Sequence, residues 1–351
     1  MGYTVTFPYQ TETPISFGPD DEIGRGATAN IYKISINDKV YAIKIFQDLN
    51  TVDQDRLLYM ISLCKEAKPD DTDDTNDFSE KHAWPLGIVK KDNSIAGFVM
   101  SLKDSDAFFD IECLYNPVLR SELPSENLIA LTNKIHIGQN LAAAVAEFHS
   151  KNILIIDQKP QNIKISNFDN SVTLLDCDGF SITEPNGRCH SATLISSDFI
   201  SPEAMRDHLT PDALGLEQDH YSLAVILFQM LNRGIHPFQG ILKTPGINAN
   251  TNDDKAELGL YSYGLVPDAR IAPHPTSLHH YFPIELRKMF DKAFSGEPRL
   301  RPTAKSWSDF FSDLIEKKAF KKCSRNPQSI EHIHFKGSSC FACELADRQP
   351  P

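Results

Sequence analysis

The densest chemistry in this sequence lies in Ile153-Leu154-Ile155-Ile156-Asp157-Gln158-Lys159-Pro160-Gln161-Asn162-Ile163-Lys164-Ile165. An apolar strand there delivers a polar D-x-K-P-x-N loop, and a second strand follows. A further apolar run, Val172-Thr173-Leu174-Leu175, leads into Asp176-Cys177-Asp178-Gly179-Phe180. Two loops at neighbouring strand ends are expected to present Asp157, Lys159, Asn162, Asp176 and Asp178 to one cleft. Asn162, Asp176 and Asp178 offer hard oxygen donors. They suit Mg2+ (or Mn2+), which takes one or two carboxylates and completes its shell with substrate phosphates. In Tyr41-Ala42-Ile43-Lys44 an ammonium sits among apolar strand residues, where it is costly without an anionic partner. Upstream, the segment from Ile23 to Tyr32 (IGRGATANIY) reads as strand, turn and strand. The missing side chains of Gly24 and Gly26 let backbone N–H groups approach phosphate oxygens. Alone, these features read as a hairpin turn and an edge-strand lysine. In this order they are more specific.

A second constellation closes the chain. Cys323 is followed by His332 and His334, then by Cys340-Phe341-Ala342-Cys343. A C-x2-C pair with a third Cys and one His can complete a closed tetrahedral Zn2+ site of structural type. His332 is the favoured fourth ligand and His334 the alternative. A tail too short for its own core gains its fold from the metal. The other cysteines, Cys64, Cys113, Cys177 and Cys189, are scattered. An odd total of seven points to a reducing compartment rather than a disulfide framework. Lys317, Lys318, Lys321, Lys322 and Arg325 form a local basic face, read as a solvated helix end, with partner or nucleic-acid docking as the sharper alternative.

The elements that position these groups fall into a β-rich part, a helical part and the short tail. Asn30–Ile36 and Val40–Phe46 alternate as strands around the turn residues Asn37 and Asp38, and residues 95–102 form another strand. Residues 52–66 read as a helix with Leu57, Leu58, Ile61 and Cys64 on one side. The Asp-rich segment 69–77 reads as a solvated loop. Ile135, Gly138, Leu141, Val145 and Phe148 mark one buried helix face, and residues 220–231 are apolar nearly all round. Leu286, Met289, Phe290 and Phe294 mark a further helix. Thr303 caps a last one, striped by Trp307, Phe310, Phe311, Leu314 and Ile315. Residues 239–282, rich in Gly, Asn, Pro and His, read as a long surface excursion. The expected class is α+β and bilobal, with domains 1–102, 103–320 and 321–347.

Composition narrows the partners. With 41% hydrophobic residues in 351, the chain can fill a sizeable core. A net charge of −12 argues against a whole-surface grip on nucleic acid. No apolar run approaches the ~20 residues of a membrane span, and the first residues lack a basic, then apolar, leader. A cytoplasmic location is therefore expected.

Taken together, these motifs resemble the eukaryotic-type Ser/Thr protein kinases over about residues 18–316. Gly24-Arg25-Gly26 resembles the Gly-rich loop, Lys44 the lysine of V-A-I-K, and Asp157 to Asn162 the catalytic loop. Asp176 resembles the first residue of D-F-G, Ser201-Pro202-Glu203 the A-P-E motif, Asp219 the aspartate that buttresses the catalytic loop, and Arg301 the partner of Glu203. The resemblance implies ATP as phosphoryl donor and a protein hydroxyl, on the chain itself or a partner, as acceptor. Lys44 would hold the α/β-phosphates, Asn162 and Asp176 (or Asp178) the Mg2+, and Asp157 would receive the hydroxyl proton while Lys159 steadies the transferred phosphate. Met100, Ser101 and Leu102 would form the adenine hinge, with Ile23, Ile31 and Ala42 covering the ring. His82–Pro85 (HAWP), Gly97–Met100 (GFVM) and the Cys/His tail are similar to a bacterial subfamily. Some of its members are fused to helix-hairpin-helix domains and others are encoded with tellurite-resistance genes, where a von Willebrand factor A protein and a metal-dependent phosphatase are companions.

Four departures matter. Ala29 stands for the third loop glycine. Ile155-Ile156 replace the His-Arg before the catalytic Asp, so activity without activation-segment phosphorylation is expected. The metal-binding motif reads D-C-D, with Asp178-Gly179-Phe180 as an alternative registration. No glutamate on helix 52–66 answers Lys44; Asp53, Asp55 and Glu66 are the nearest substitutes. Loss of that ion pair leads to a second reading as a nucleotide-binding pseudokinase scaffold, and the tail to a third, a zinc-module adaptor recruiting partners or nucleic acid.

Overall fold

The structure, a computed structural model, describes residues 2–8, 10–64, 78–104 and 106–348. The Asp-rich segment 69–77 and Glu66 lie outside the described residues. The chain forms two compact units, one of residues 1–108 with 173–178, the other of residues 109–172 with 179–351. No helix among the described residues is long and apolar enough to cross a membrane.

The first unit is built on a seven-stranded antiparallel sheet. Its strands are β1 (Tyr3–Thr6), β2 (Thr13–Ile15), β3 (Glu22–Arg25), β4 (Ala29–Ile36), β5 (Lys39–Phe46), β6 (Gly87–Lys91) and β7 (Ser94–Ser101). They lie in the order β2-β1-β6-β7-β5-β4-β3. Asn37 and Asp38 both take positive φ, 50° and 63°, which a two-residue hairpin turn requires. That turn sets Ile31 opposite Lys44, and Ala42 pairs with Met100 on β7. Alternation then divides the sheet. Ile34, Ile36, Ile43, Ile45, Val89 and Val99 fill one face. Ala42, Phe98 and Met100 share the other with Leu57 and Ile61 of α1 (Gln54–Ser62). Asp53 caps α1 by accepting from the Arg56 N–H at 2.9 Å. The helix is shorter than the periodicity predicts: it ends at Ser62, and Leu58 is exposed rather than on the buried side. Cys64 lies beyond the helix, its thiol 3.4 Å from the Pro85 carbonyl. A short α2 (Phe78–Lys81) precedes β6.

The second unit is mostly helical. After β8 (Phe108–Asp110), α3 (Leu131–Ser150) buries the predicted stripe Ile135, Gly138, Leu141, Val145 and Phe148. Short strands β9 (Ile153–Leu154), β10 (Ile163–Ser166), β12 (Ser181–Thr183) and β13 (Cys189–His190) follow, then α4 (Pro202–Arg206); β11 (Val172–Leu174) falls at the point where the chain returns to the first unit. Next, α5 (Leu216–Leu231) is enclosed along almost its whole length. Gly138 lets α3 close on its neighbours, because a Cβ there would stand 3.0 Å from Phe311 and 3.3 Å from Leu227 and Met230. Thr303 caps α8 (Ala304–Glu316), which follows α7 (Ile284–Phe294) and buries Trp307, Phe311 and Leu314.

Residues 239–282 depart from the expected surface excursion. They fold into β14 (Gly240–Leu242), α6 (Asn252–Glu257) and β15 (Ile271–Pro273), and bury Leu260, Tyr261, Tyr263, His279 and Tyr281. The Tyr263 and His279 rings pack about Phe228 of α5, at centroid distances of 5.1 and 5.7 Å. Polar composition hid a few large aromatics that carry most of the burial. The chain closes with a hairpin of β16 (Phe320–Lys322) and β17 (Ile333–Phe335) and with α9 (Phe341–Arg348).

Candidate functional site

In the first unit the ammonium of Lys44 is nearly buried, on the same sheet face as Ala42 and 5.9 Å from the centre of the Phe98 ring. It donates to both carboxylate oxygens of Asp178, at 2.8 and 3.1 Å, and to Asp176 at 3.3 Å. Burial works to lower the lysine's pKa, but the charges of Asp178 and then Asp176 outweigh it and hold the pKa above the usual value. The two aspartates differ in exposure. The Asp178 side chain is 13% exposed and committed to Lys44, whereas that of Asp176 is 58% exposed. Asp176 takes φ +52°, in the left-handed region. Helix α1 sends no carboxylate to Lys44. It turns in the buried Arg56, whose Nη1 donates to the Asp178 carbonyl at 2.9 Å. Of the expected substitutes, Asp53 serves as the cap of α1, and Asp178 supplies the counter-charge to Lys44.

Apart from Asn162, the other predicted nucleotide-site residues lie on the same sheet or next to the ends of its strands. Ile23 is exposed on β3, and Gly24 pairs with Ile31. Ala42 and Met100 are buried, Ser101 ends β7, and Leu102 follows it. Gly26 donates its N–H to the Ala29 carbonyl at 2.8 Å, closing the loop that the third glycine would have loosened. Gln47 was not singled out from sequence; its side chain donates to the Gly26 carbonyl at 3.3 Å and to Asn30 at 3.1 Å. Gly97, which opens the GFVM piece, has a packing role that the resemblance does not give. A Cβ there would stand 1.9 Å from the Lys44 carbonyl, so β7 can run beside β5 at Lys44 only with glycine at 97. A glycine inside an apolar strand was the available signal.

Asp157, Lys159 and Asn162 belong to the second unit. Asp219 is fully buried on α5 and accepts the N–H groups of Ile155 and Ile156 at 2.8 and 2.7 Å, with His149 Nε2 at 2.9 Å. It thereby holds the bend into the loop, where Ile156 takes φ +59°. Asp157 accepts from Lys159 Nζ at 2.6 Å and from the Ser196 N–H at 2.7 Å. The Ser196 hydroxyl in turn accepts from Lys159 at 2.9 Å. Asn162 donates to the Asp157 carbonyl at 3.3 Å. Glu203 and Arg301, far apart in sequence, form a two-pronged ion pair, with one arm at 2.7 Å. Burial opposes ionisation of Glu203, but the guanidinium wins and holds its pKa below the usual value.

The tail gathers Cys323, His332, Cys340 and Cys343, with all ligand atoms within 4.8 Å of one another. Cys323 and Cys343 sulfurs are 3.5 Å apart, and His332 Nδ1 is 3.4 and 3.3 Å from Cys340 and Cys343. Edges of a tetrahedron with metal–sulfur bonds of about 2.3 Å are of this order, about 3.7 Å, so the donor set and its spacing fit zinc. Backbone N–H groups of Asn326 and Arg325 draw the Cys323 thiol down to about 6, toward the thiolate a ligand must be. His334 lies outside this group, on β17 opposite Lys321.

A lysine clasped by acids on an antiparallel sheet, an aspartate loop pinned by a buried helix aspartate and the Glu203–Arg301 pair define a class. The chain belongs to the protein kinase domain family, which matches residues 17–311. It is similar to "Protein kinase YegI" of Escherichia coli O157:H7, 26% identical over 341 residues, covering 93% of this chain and 48% of that protein. The protein of that name from strain K12 is 26% identical over 275 residues, 75% of this chain and 40% of its own length. "Serine/threonine-protein kinase ppk24, mitochondrial" of Schizosaccharomyces pombe is 25% identical over 236 residues, 63% of this chain and 47% of the relative. The chain thus spans about half the length, or less, of these curated relatives.

Proposed function

We propose that the protein is an ATP-dependent serine/threonine kinase that transfers the γ-phosphate to a protein hydroxyl, its own or a partner's. The observation that carries this reading is the clasp of Lys44 by Asp178 and Asp176 within a chain of the protein kinase family. Lys44 neutralises the α/β-phosphates, and Ile23, Ile31, Ala42 and the Met100–Leu102 segment hold adenine over the Gly24–Gly26 loop. Asp176, whose carboxylate is exposed, and Asn162 hold Mg2+, which neutralises phosphate charge when bound; Asp178 adds negative charge nearby and keeps Lys44 in place. Asp157 orients the acceptor hydroxyl and takes its proton, and Lys159 beside it meets the transferred phosphate. Residues 1–102 serve nucleotide binding, 103–320 catalysis, and 321–347 a structural Zn2+ held by Cys323, His332, Cys340 and Cys343.

The likeness to the bacterial subfamily with helix-hairpin-helix or tellurite-resistance members supports a cytoplasmic phosphorylation system for this kinase. A von Willebrand factor A protein and a metal-dependent phosphatase are the partners that likeness suggests. The decisive experiment uses radiolabelled ATP with Mg2+ or Mn2+ and compares the parent with Asp157→Asn. Label transfer by the parent and its loss in the variant are expected; equal transfer by both shows that the base is elsewhere. One observation favours a second reading, a pseudokinase scaffold: α1 turns Arg56, not a carboxylate, toward the lysine's surroundings. Nucleotide binding without transfer by the parent would decide for it.

A further inference from the structure

Away from the kinase motifs, the second unit contains a cavity of about 560 Å3, within the usual size of small-molecule sites. Leu131, Leu231, Leu278 and Phe341 give it apolar walls, and Arg120, Lys134 and Arg233 reach it from three elements. Two of these cations have places of their own. Arg120 stands 3.5 Å from Glu331, and Arg233 lies over the Phe341 ring at 5.4 Å from its centre. Lys134 does not: among the described residues no carboxylate comes within ion-pair distance and no acceptor takes a hydrogen bond from its Nζ. Nor does it serve its helix. It sits in the first turns of α3, where the helix dipole disfavours a cation. Burial, then the charges of Arg120 and Arg233, press its pKa down to about 8, with Glu331 opposing. Three positive groups against one negative, around an apolar hollow, are a binding arrangement lacking its anion.

We propose that this cavity binds a small amphiphile, an apolar body that fills the hollow and a carboxylate or phosphate head that pairs with Lys134. The cavity shares His332 and Cys340 with the Cys/His cluster, so the measurement uses the full chain, without chelator and with one equivalent of Zn2+ added. Octanoate, octyl phosphate, octanol and octylamine are titrated by calorimetry. At least one of the two anions is expected to bind saturably at one site, and the tighter of them names the head group. Octanol and octylamine are expected to bind about tenfold more weakly or worse, the loss of a charge-assisted hydrogen bond. Lys134→Met should weaken the preferred anion to the level of octanol, and Lys134→Glu should transfer preference to octylamine. Equal binding of octanol and the anions, or no saturable binding by either anion, overturns the proposal. So does an unchanged anion affinity in Lys134→Met. The parent comparison stands even if a variant fails to fold. Since no nucleotide enters the measurement, its failure is distinct from failure of the kinase reading.

Discussion

Asp178, not a residue of α1, is the principal counter-ion of Lys44: both its oxygens lie within 3.1 Å of the ammonium, while Asp176 reaches it with one oxygen at 3.3 Å. Asp178 is locked from behind by the buried Arg56, which holds its carbonyl. The third position of the D-C-D motif thus answers the lysine that a helix carboxylate would otherwise answer. Asp176 is left exposed and available to a cation.

Substitution should separate these two acids. Asp178→Asn leaves a nearly buried ammonium with one weak partner, a loss of several kcal/mol in extreme cases and about 2 kcal/mol where Asp176 compensates. Nucleotide affinity should fall with stability. Asp176→Asn should instead spare the urea midpoint and abolish divalent-dependent transfer. The two variants are compared by urea denaturation and by nucleotide titration with and without Mg2+. Equal stability loss in both would refute the division of labour.

Gly97→Ala tests the sheet beneath Lys44. The added methyl would overlap the Lys44 carbonyl, so β5 and β7 must part, a cost of about 1–3 kcal/mol or more. A lower melting temperature together with weaker nucleotide binding is expected. Ala at Gly18, where nothing lies within 4 Å, should leave stability unchanged and serves as control.

These two sites show where sequence reasoning reached and where it stopped. Spacing places Lys44 on a strand, Asp157 after one, and Thr303 at a cap, because hydrophobic period and polar loops are local properties. The helical stripe from Ile135 to Phe148 was legible for the same reason. The partnership of Lys44 with Asp178 was not, since it depends on the positive φ of Asp176 and on Arg56, neither of which periodicity encodes. Residues 239–282 failed differently. Their Gly, Asn and Pro suggest a loop, but Tyr261, Tyr263 and His279 reach the core through contacts distant in sequence.

Asp219 should be among the costliest residues to lose. Removing its carboxylate in Asp219→Ala strands the buried N–H groups of Ile155 and Ile156, at about 1–3 kcal/mol each. Chemical denaturation should show a loss of about 2–5 kcal/mol. Asp219→Asn, with one acceptor oxygen kept, should lie between the two. A neutral effect of Asp219→Ala would mean that the loop is held by other contacts.

Acid should weaken the fold through its buried imidazoles. Burial pushes His82 and His279 down to about 3 and His236 to about 4. His82 needs its neutral form, because Nδ1 accepts the Leu174 N–H at 3.0 Å. With folded pKa values below the unfolded value of about 6.5, only the unfolded chain binds protons as pH falls from 6.5 toward 4. Stability is therefore full above about pH 7 and declines below it, by about 2 kcal/mol per imidazole at pH 5. Urea midpoints at pH 7.5 and pH 5 measure the decline, and His82→Gln should flatten it by one imidazole's share.

The Cys/His cluster predicts one zinc equivalent per chain. Three sulfurs and an imidazole within 4.8 Å repel as thiolates without a cation; burial and its sulfur neighbours already push Cys343 up to about 11. Zinc removes that repulsion, so binding should release protons and stabilise β16, β17 and α9. Chelation, or Cys340→Ser with Cys343→Ser, should remove the metal measured by emission spectrometry and expose this tail to protease. His334→Ala should retain the full equivalent, because its ring lies outside the cluster, whereas His332→Ala should weaken retention. Undiminished zinc in the double cysteine variant would place the metal elsewhere.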